Sequence, residues 1–278
     1  MRLLVTGAKG MLGHRVVAEA RDRGHDVTGT DLPDLDLTDA QATFDFVGEL
    51  EPDAVVHCAA YTDVDGAEAD EELALRINME AAGNVTAASG LNGAFVVAIS
   101  TDYVFTGDGD RPYVESDEPH PTTAYGRTKM LGERAVQDIG TAHAIVRTAW
   151  LFGAGGKNFV DTMLTLGAEH DEVRVVSDQI GCPTWTGFLA PAVVDLAEQR
   201  SSGVHHLAGA GQCSWAQLAE EVFRVAGLDC AVAPVTSAEF PRPAARPAWS
   251  VLGSERSDAS PLPPWQEHVH DYLKERSA

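Results

Sequence analysis

The sequence has little positive charge. Its 278 residues include 20 Lys and Arg against 42 Asp and Glu, which gives a formal net charge of −22 at pH 7. Nucleic acids and anionic membranes both bind basic surfaces, so we expect neither as a partner. Lysine is especially scarce, with only Lys9, Lys129, Lys157 and Lys274. Acidic surfaces of this kind are one adaptation to high salt, and a salty cytosol and an ordinary acidic protein both stay open.

Long apolar runs are also missing. No run approaches the roughly 20 residues that a membrane span needs. The chain starts directly in a strand-like segment instead of a charged and then apolar signal peptide. We therefore expect a cytoplasmic protein.

Motifs for metal binding are absent. The four cysteines show neither a CxxC pair nor the spacing of metal ligands, which predicts reduced core thiols. His205 and His206 are the only adjacent histidines, and neighbours on a strand point to opposite faces. We therefore predict no metal site. The cysteines are Cys58, Cys182, Cys213 and Cys230.

A glycine-rich segment between two predicted strands indicates a dinucleotide-binding unit. The apolar run Leu3–Thr6 leads into Gly7–Gly13, and a helical stretch over 14–23 is followed by a strand over 26–30. In this βαβ order the glycines allow a tight turn and bring the backbone close to a pyrophosphate at a helix N-terminus. Asp31 ends the second strand, where an acid binds the ribose hydroxyls of adenosine.

Cofactor choice stays open at the sequence level. Asp31 repels a 2′-phosphate and favours NADH, whereas Lys9 attracts one and favours NADPH, so we expect use of both. The small residues Ala59 and Ala60, after an apolar run at 54–58, also allow a cofactor to come close. The predicted cofactor-binding residues are Gly7, Lys9, Gly10, Met11, Leu12, Gly13, Asp31, Asp36, Leu37, Ala59, Ala60, Thr62, Tyr125 and Lys129.

Tyr125 and Lys129 are spaced for one face of a helix, one turn apart. A nearby ammonium favours the phenolate, and we expect it to lower the pKa of Tyr125 from its usual value near ~10. Thr101 and Tyr103 follow a buried strand at 94–99, and in a doubly wound sheet such positions line the ligand site. Taken alone, the tyrosine and lysine are also compatible with a chance pair on a solvated helix.

The order of elements predicts an α/β fold, a Rossmann-type doubly wound parallel sheet with a smaller C-terminal α/β domain that binds substrate. We assign residues 1–150 to the dinucleotide-binding domain, with a returning segment near 185–210, and residues 151–278 mainly to the substrate-binding domain. One helix is predicted over 73–89, with Asn78 in its apolar stripe bonded to the neighbouring loop, and a loop over 179–184.

A series of motifs in order resembles the extended short-chain dehydrogenase/reductases, and within them the dTDP-4-dehydrorhamnose reductase family. These motifs are VTGAKGMLG, CAAYTDVDGAE, STDYVF, YGRTKMLGE, RTAWLFG, NFVDTM, VVSDQIGCPT, GVHHLAG and RPAWSVL. The resemblance implies NAD(P)H-dependent reduction of the C4 ketone of a nucleotide-linked 4-keto-6-deoxyhexose. It makes Tyr125 the acid, Lys129 the residue that tunes it and binds the nicotinamide ribose, and Thr101 the third catalytic member, bonded to the carbonyl.

The resemblance also implies residues for a nucleotide-sugar substrate. Tyr103, Trp150 and Arg246 match substrate positions, because an aromatic face suits a sugar or thymine ring and an arginine suits a diphosphate. Two alternatives stay open: Trp150 as a plug at the domain junction, and Arg246 as the partner of a surface acid. Some family members have a metal-binding carboxylate where Arg15 stands, so no metal is expected, and His57 replaces a more usual asparagine.

Three other functions are compatible with the fold. A dehydratase would carry Asp-Glu after the threonine, but Tyr103 follows Thr101-Asp102. An epimerase would retain NAD tightly, and a regulatory subunit would bind the cofactor without turnover. A homodimer is a further open alternative, since the sequence does not define an oligomeric state.

Overall fold

The computed structural model describes residues 1–259 and 261–277. The strands are β1 (Arg2–Thr6), β2 (Asp26–Thr30), β3 (Ala54–His57), β4 (Phe95–Thr101), β5 (His143–Thr148), β6 (Leu151–Phe152), β7 (Glu172–Val176), β8 (Ile180–Gly181), β9 (Thr184–Trp185), β10 (Gly203–His206), β11 (Cys213–Ser214) and β12 (Ala231–Val235). The α-helices are α1 (Gly13–Asp22), α2 (Ala40–Leu50), α3 (Val64–Ala69), α4 (Glu71–Leu75), α5 (Ala81–Leu91), α6 (Ala124–Ile139), α7 (Phe159–Glu169), α8 (Thr186–Gln199), α9 (Trp215–Ala226) and α10 (Trp265–Arg276).

The main sheet has six parallel strands in the order β10-β5-β4-β3-β1-β2. Its central strands are apolar on both faces because helices cover both sides. Val56 and Val97 pack with residues of α1 and α8, whereas Val55 packs with residues of α2 and α5. The chain continues from β1 to β2 on one side and reaches β3 on the other. The predicted doubly wound parallel sheet is confirmed, and its crevice lies between the neighbouring strands β1 and β3, where the strand order reverses.

The helix predicted over 73–89 is interrupted. A π-helical turn at Arg76–Glu80 separates α4 from α5. Asn78 lies in this turn and binds the backbone of Tyr61 twice, accepting from its N at 2.9 Å and donating to its O at 3.2 Å. The Asn78 amide also donates to Thr128 Oγ1 of α6 at 3.0 Å. The predicted bond between Asn78 and the neighbouring loop is thus confirmed, and π turns of this kind are frequent near functional sites.

A second layer of structure follows β5. It contains three two-stranded sheets, in which β12 pairs with β7, β11 with β8, and β6 with β9. Helices α7, α9 and α10 surround a core that includes Phe152, Leu218, Phe223 and Tyr272. The prediction of a plain loop over 179–184 is wrong, because Ile180–Gly181 and Thr184–Trp185 form short strands with distant partners. Strand β12 has no counterpart in the sequence-based prediction.

The chain returns to the main sheet after this excursion. Helix α8 packs on α1, and β10 extends the sheet by pairing with β5. The division of the two regions between cofactor and substrate stays a prediction at this point. Among the described residues, no helix combines the length and apolar character needed to cross a bilayer.

Candidate active site

The glycine-rich loop lies against the end of β3. Gly7 has a φ of 65°, and a Cβ atom on it would lie 2.6 Å from the backbone N of Ala59, so only glycine fits there. Gly10 N donates to Gly7 O at 3.0 Å, and α1 then begins at Gly13. Met11 and Leu12 lie between these glycines, with Leu12 buried in the core. The loop therefore presents the N-terminus of a helix where a pyrophosphate binds in such folds.

Asp31 and Lys9 lie side by side at the end of β2. Oδ2 of Asp31 accepts a hydrogen bond from Lys9 N at 3.0 Å, and Oδ1 accepts one from Leu32 N at 2.8 Å. The Lys9 ammonium is 3.1 Å from Oδ2 of Asp34, and both of these side chains are mostly exposed. The predicted adenosine site thus holds one cation and two carboxylates.

The other predicted cofactor residues lie along the same edge. Asp36 accepts two hydrogen bonds from Thr38, which lower its pKa, and Leu37 O accepts one from Asn84 at 2.9 Å. Ala60 and Thr62 follow β3 in the loop that Asn78 holds.

Helix α6 brings Tyr125 and Lys129 to the carboxyl end of β4. The helix begins there because Thr123 caps it, accepting from Gly126 N at 3.1 Å. Lys129 Nζ donates to the carbonyl of Ile99 at 2.8 Å. The Tyr125 ring meets Tyr103 edge to face, with centroids 5.5 Å apart. Tyr125 and Lys129 are both buried, which the alternative of a solvated surface helix does not allow.

The pKa values of this pair depend mainly on burial. Burial raises the pKa of Tyr125 to about 12, and a hydrogen bond with Thr101 opposes that rise. Our expectation that Lys129 lowers the pKa of Tyr125 is therefore wrong for this structure, in which the ammonium binds Ile99 O. Burial lowers the pKa of Lys129 to about 8, and the Glu133 carboxylate opposes that shift. Tyr125 is protonated at neutral pH, as an acid must be.

Asp102 is a buried acid that the sequence-based prediction missed. Only 3% of its surface is exposed, and its Oδ1 accepts a hydrogen bond from Thr101 Oγ1 at 2.9 Å. Burial raises the pKa of Asp102 to about 6. Its position between Thr101 and Tyr103, at the end of a buried strand, is the signal that could have indicated a residue of the site.

A cavity of about 380 Å³ is lined by all three predicted substrate residues, Tyr103, Trp150 and Arg246. Other aromatic and basic residues that line it were not predicted. These are Phe159, Arg174, Trp215, Phe240 and Arg242. Three arginines line this cavity, and two of them are paired with carboxylates, Arg246 with Asp65 and Arg174 with Glu239. Trp215 could have been noticed as the aromatic residue that opens the amphipathic stretch after Ser214.

Trp150 has both faces of its ring covered. Its indole stacks on that of Trp215, with centroids 3.5 Å apart and planes 3° apart. A Cβ atom on Gly181 would lie 2.3 Å from the Trp150 ring, so the Gly181 backbone packs against it as well. The part of Trp150 that lines the cavity is therefore the edge of the indole, and no open face is left for a sugar or thymine ring.

Arg246 forms an ion pair across the cleft. Its two terminal nitrogens lie 2.9 and 2.8 Å from Oδ1 and Oδ2 of Asp65 in α3. Asp65 Oδ1 also accepts from Ala244 N at 3.1 Å, and the Arg246 contact lowers the pKa of Asp65. The alternative in which Arg246 pairs with an acid is what the structure shows. Arg246 nevertheless lines the cavity while making this pair.

Within residues 1–259 and 261–277, no three His, Cys, Asp or Glu side chains converge in a geometry that could hold a metal ion. Arg15 instead pairs with Glu275 of α10. His205 binds Ser201 O at 3.0 Å, and His206 binds Gly253 O at 2.9 Å. These contacts account for both adjacent histidines as structural residues.

Known proteins share this sequence and architecture over nearly the whole chain. The family model described as RmlD substrate binding domain matches residues 1–278. A dTDP-4-dehydrorhamnose reductase of Streptomyces griseus is 45% identical over 95% of this chain and 89% of its own. A dTDP-4-keto-6-deoxy-D-glucose reductase of Streptomyces niveus is 43% identical over 91% of this chain and 89% of its own.

One solved structure has the same fold together with a cofactor. The dTDP-4-dehydrorhamnose reductase of Bacillus anthracis in complex with NADP is 39% identical, with a TM-score of 0.96 over 99% of each chain. The chain described here belongs to the dTDP-4-dehydrorhamnose reductase family, a group of NAD(P)H-dependent oxidoreductases among the extended short-chain dehydrogenase/reductases.

Proposed function

We propose that the protein reduces the C4 ketone of a nucleotide-linked 4-keto-6-deoxyhexose, and specifically converts dTDP-4-dehydro-L-rhamnose to dTDP-L-rhamnose. The observation that carries this proposal is the convergence of Thr101, Tyr125 and Lys129 at the carboxyl end of β4. Tyr103 joins this group to the cavity that contains Arg246, because it contacts Tyr125 and lines that cavity.

The residues at the crevice fit a nicotinamide dinucleotide. Gly7 lets the loop pack against the backbone of Ala59, and Gly13 lets α1 begin directly against Gly7 O, where a Cβ atom would lie only 2.0 Å away. Lys129 would hold the nicotinamide ribose, and Asp31 the adenosine ribose. When bound, NADH or NADPH supplies the hydride.

Tyr125 is the proton donor in this proposal. Its raised pKa keeps the phenol protonated at neutral pH, so it can donate to the ketone oxygen as negative charge develops there. In this proposal the Thr101 hydroxyl turns its proton from Asp102 Oδ1 to that oxygen and adds a second hydrogen bond. Because the site is buried, both interactions act in a low dielectric, where they stabilise a developing alkoxide more strongly than in water.

The cavity supports a nucleoside diphosphate as the non-reacting part of the substrate. Arg174, Arg242 and Arg246 offer guanidinium groups to two phosphates, a contact for which arginine is well suited. Phe159 and Trp215 provide aromatic surface for a base. This division supports the assignment of residues 151–278 mainly to substrate binding.

Product analysis tests the proposal. The purified protein is incubated with NADPH and either dTDP-4-dehydro-L-rhamnose or dTDP-4-keto-6-deoxy-D-glucose, and the products are identified by NMR. We expect dTDP-L-rhamnose from the first sugar, at a higher kcat/KM than for the second. A higher kcat/KM for the second sugar would replace the L-rhamnose assignment with the activity that the Streptomyces niveus relative is named for.

The same assay separates the two remaining alternatives. Epimerised ketone with no net NADPH consumption, from protein that copurifies with NAD, would indicate an epimerase. Cofactor binding without any turnover would indicate a regulatory subunit. The homodimer and the cytoplasmic location stay predictions, and light scattering of the purified chain tests the first of them.

A further inference from the structure

Three consecutive residues at the end of β4 face three successive turns of α6. Thr101 lies near Tyr125 and opposes the rise in its pKa, and the carbonyl of Ile99 accepts from Lys129 Nζ at 2.8 Å. Between them, Ser100 Oγ donates to Oε1 of Glu133 at 2.5 Å. Glu133 stands four residues after Lys129, as Lys129 does after Tyr125. It therefore lies on the same face of the helix, one turn further from the ketone site.

Glu133 is fixed from a second direction by Arg147 of β5. Arg147 Nε lies 3.0 Å from Oε1 of Glu133, and a terminal nitrogen lies 2.8 Å from Oε2. The two side chains are only 3% and 4% exposed. The Arg147 guanidinium also lies over the Phe105 ring, 5.1 Å from its centroid. Two-armed contacts of this kind restrict both partners, so Glu133 has little freedom to move away from Lys129.

The other groups around Lys129 do not supply a negative charge. From the end of β3, His57 has its pKa lowered to about 3 by burial and is neutral. The next residue, Cys58, has its pKa raised to about 12 by burial and is a neutral thiol. Tyr125 on the same helix is a neutral phenol. Asp102 acts on Tyr125 and is not among the groups that shift the Lys129 pKa. Among these neighbours, the Glu133 carboxylate is the anion that acts on the ammonium.

We propose that Glu133 is a positioning residue for the reaction, and that the Glu133–Arg147 pair holds α6 on β4 while the Glu133 carboxylate keeps Lys129 protonated. A buried ammonium without an anion nearby loses its proton more easily, because burial disfavours the charged form. The catalytic consequence rests on the proposed function, whereas the effect on the Lys129 proton does not.

The scarcity of lysine makes this effect directly measurable. With four lysines in the chain, the protein labelled with 13C-lysine gives few side-chain signals, and Lys129 is the one that disappears in K129R. Its pKa is measured by titration in the wild type and in E133Q. Glu71→Gln is the matched control, because Glu71 makes a two-armed pair with Arg127 on the exposed side of α6.

We expect Lys129 to titrate below the other lysines in the wild type and in E71Q. In E133Q its pKa falls further, by about one unit or more. An equal Lys129 pKa in the wild type and E133Q would overturn the inference, whatever the activity. A shifted Lys129 in a protein that reduces no keto sugar would instead refute the proposed function and leave the inference intact.

A double variant covers the case in which E133Q does not fold. Removing one partner of a buried ion pair is strongly destabilising, but E133Q/R147M removes both charges and leaves none unpaired. Lys129 in this variant titrates below the wild-type value, because Glu133 raises the Lys129 pKa and Arg147 is not among the groups that shift it. A wild-type value in the double variant would overturn the electrostatic role.

Kinetics show the consequence for catalysis. We expect the kcat for reduction to fall as pH rises and Lys129 loses its proton. In E133Q the alkaline limb of the kcat–pH profile therefore moves to lower pH, by the same number of pH units as the Lys129 pKa measured by NMR. A lower kcat at every pH with an unmoved limb would show only structural damage, and would also overturn the proposal.

Discussion

Arg246 and Asp65 form a two-armed ion pair, at 2.9 and 2.8 Å, that joins helix α3 to the loop before Trp249. Asp65 lies just beyond the predicted cofactor residue Thr62, and Arg246 lines the proposed substrate cavity. The pair therefore connects the two predicted binding regions directly. A diphosphate that contacts Arg246 competes with Asp65 or shares the guanidinium with it.

Replacement of Arg246 by alanine tests this position. We expect KM for the nucleotide sugar to rise about 10- to 100-fold, the range for loss of hydrogen bonds to a charged group. The kcat changes less, because a contact to the diphosphate is made both before and during the reaction. Arg224→Ala, which breaks an exposed pair with Glu221, is the control. An unchanged KM in R246A would show that Arg246 pairs with Asp65 and does not contact the substrate.

Tyr125→Phe separates chemistry from binding. The variant loses the proton donor, and we expect kcat to fall about 10²- to 10⁴-fold. Affinity for NADPH, measured by fluorescence titration, stays within a few fold of the wild type because Lys129 and the glycine loop are unchanged. Thr101→Ser keeps the side-chain hydroxyl and serves as the conservative control. Parent-like turnover in Y125F would remove the phenol from the mechanism.

Asp102 predicts an unusual pH dependence of stability. Its folded-state pKa of about 6 lies above the unfolded value near ~3.9, so between these values the folded state binds more protons. The contribution of Asp102 to the stability of the folded state is fully present below pH ~4 and is lost as pH rises through about 6. In Asp102→Asn this loss is absent. The difference in free energy of unfolding, variant minus wild type, therefore increases by about 2 kcal/mol from pH 4 to pH 8. Urea unfolding at the two pH values measures it, and a pH-independent difference would contradict the assignment.

Asp34 predicts a bias in cofactor choice. It holds the Lys9 ammonium at 3.1 Å, and a 2′-phosphate must compete for that ammonium. The pair is exposed, and such pairs are worth about 0.2–1 kcal/mol, so Asp34→Asn raises NADPH affinity by about 1.5- to 5-fold. NADH affinity stays constant. Asp45→Asn, which changes an exposed acid on α2, is the control. Equal changes for NADH and NADPH would show that Lys9 does not contact the 2′-phosphate.

Local patterns explain why the fold was predictable. The βαβ order, the apolar runs of β3 and β4 and the four-residue spacing of Tyr125 and Lys129 are all short-range features. In a doubly wound sheet the carboxyl ends of parallel strands meet at one edge, which placed Thr101 correctly beside Tyr125. Short-range signals combined with one topological rule therefore predict the proposed ketone site.

Long-range packing explains what was missed. Trp215 meets Trp150 through two short strand pairings that no local pattern indicates, and β12 contains Pro234, which is unusual within a strand. The expected pKa of Tyr125 was wrong because burial, which the spacing of Tyr125 and Lys129 does not reveal, raises it, while the Lys129 ammonium binds Ile99 O. Sequence spacing shows which groups are neighbours, but it does not show how much water surrounds them.

The return of β10 to the edge of the main sheet has a practical consequence for protein engineering. A chimaera made with one junction near residue 150 would take its edge strand β10 and covering helix α8 from the donor. Grafting a new sugar pocket onto this reductase therefore needs junctions on both sides of the α8–β10 passage, so that the host keeps its own sheet.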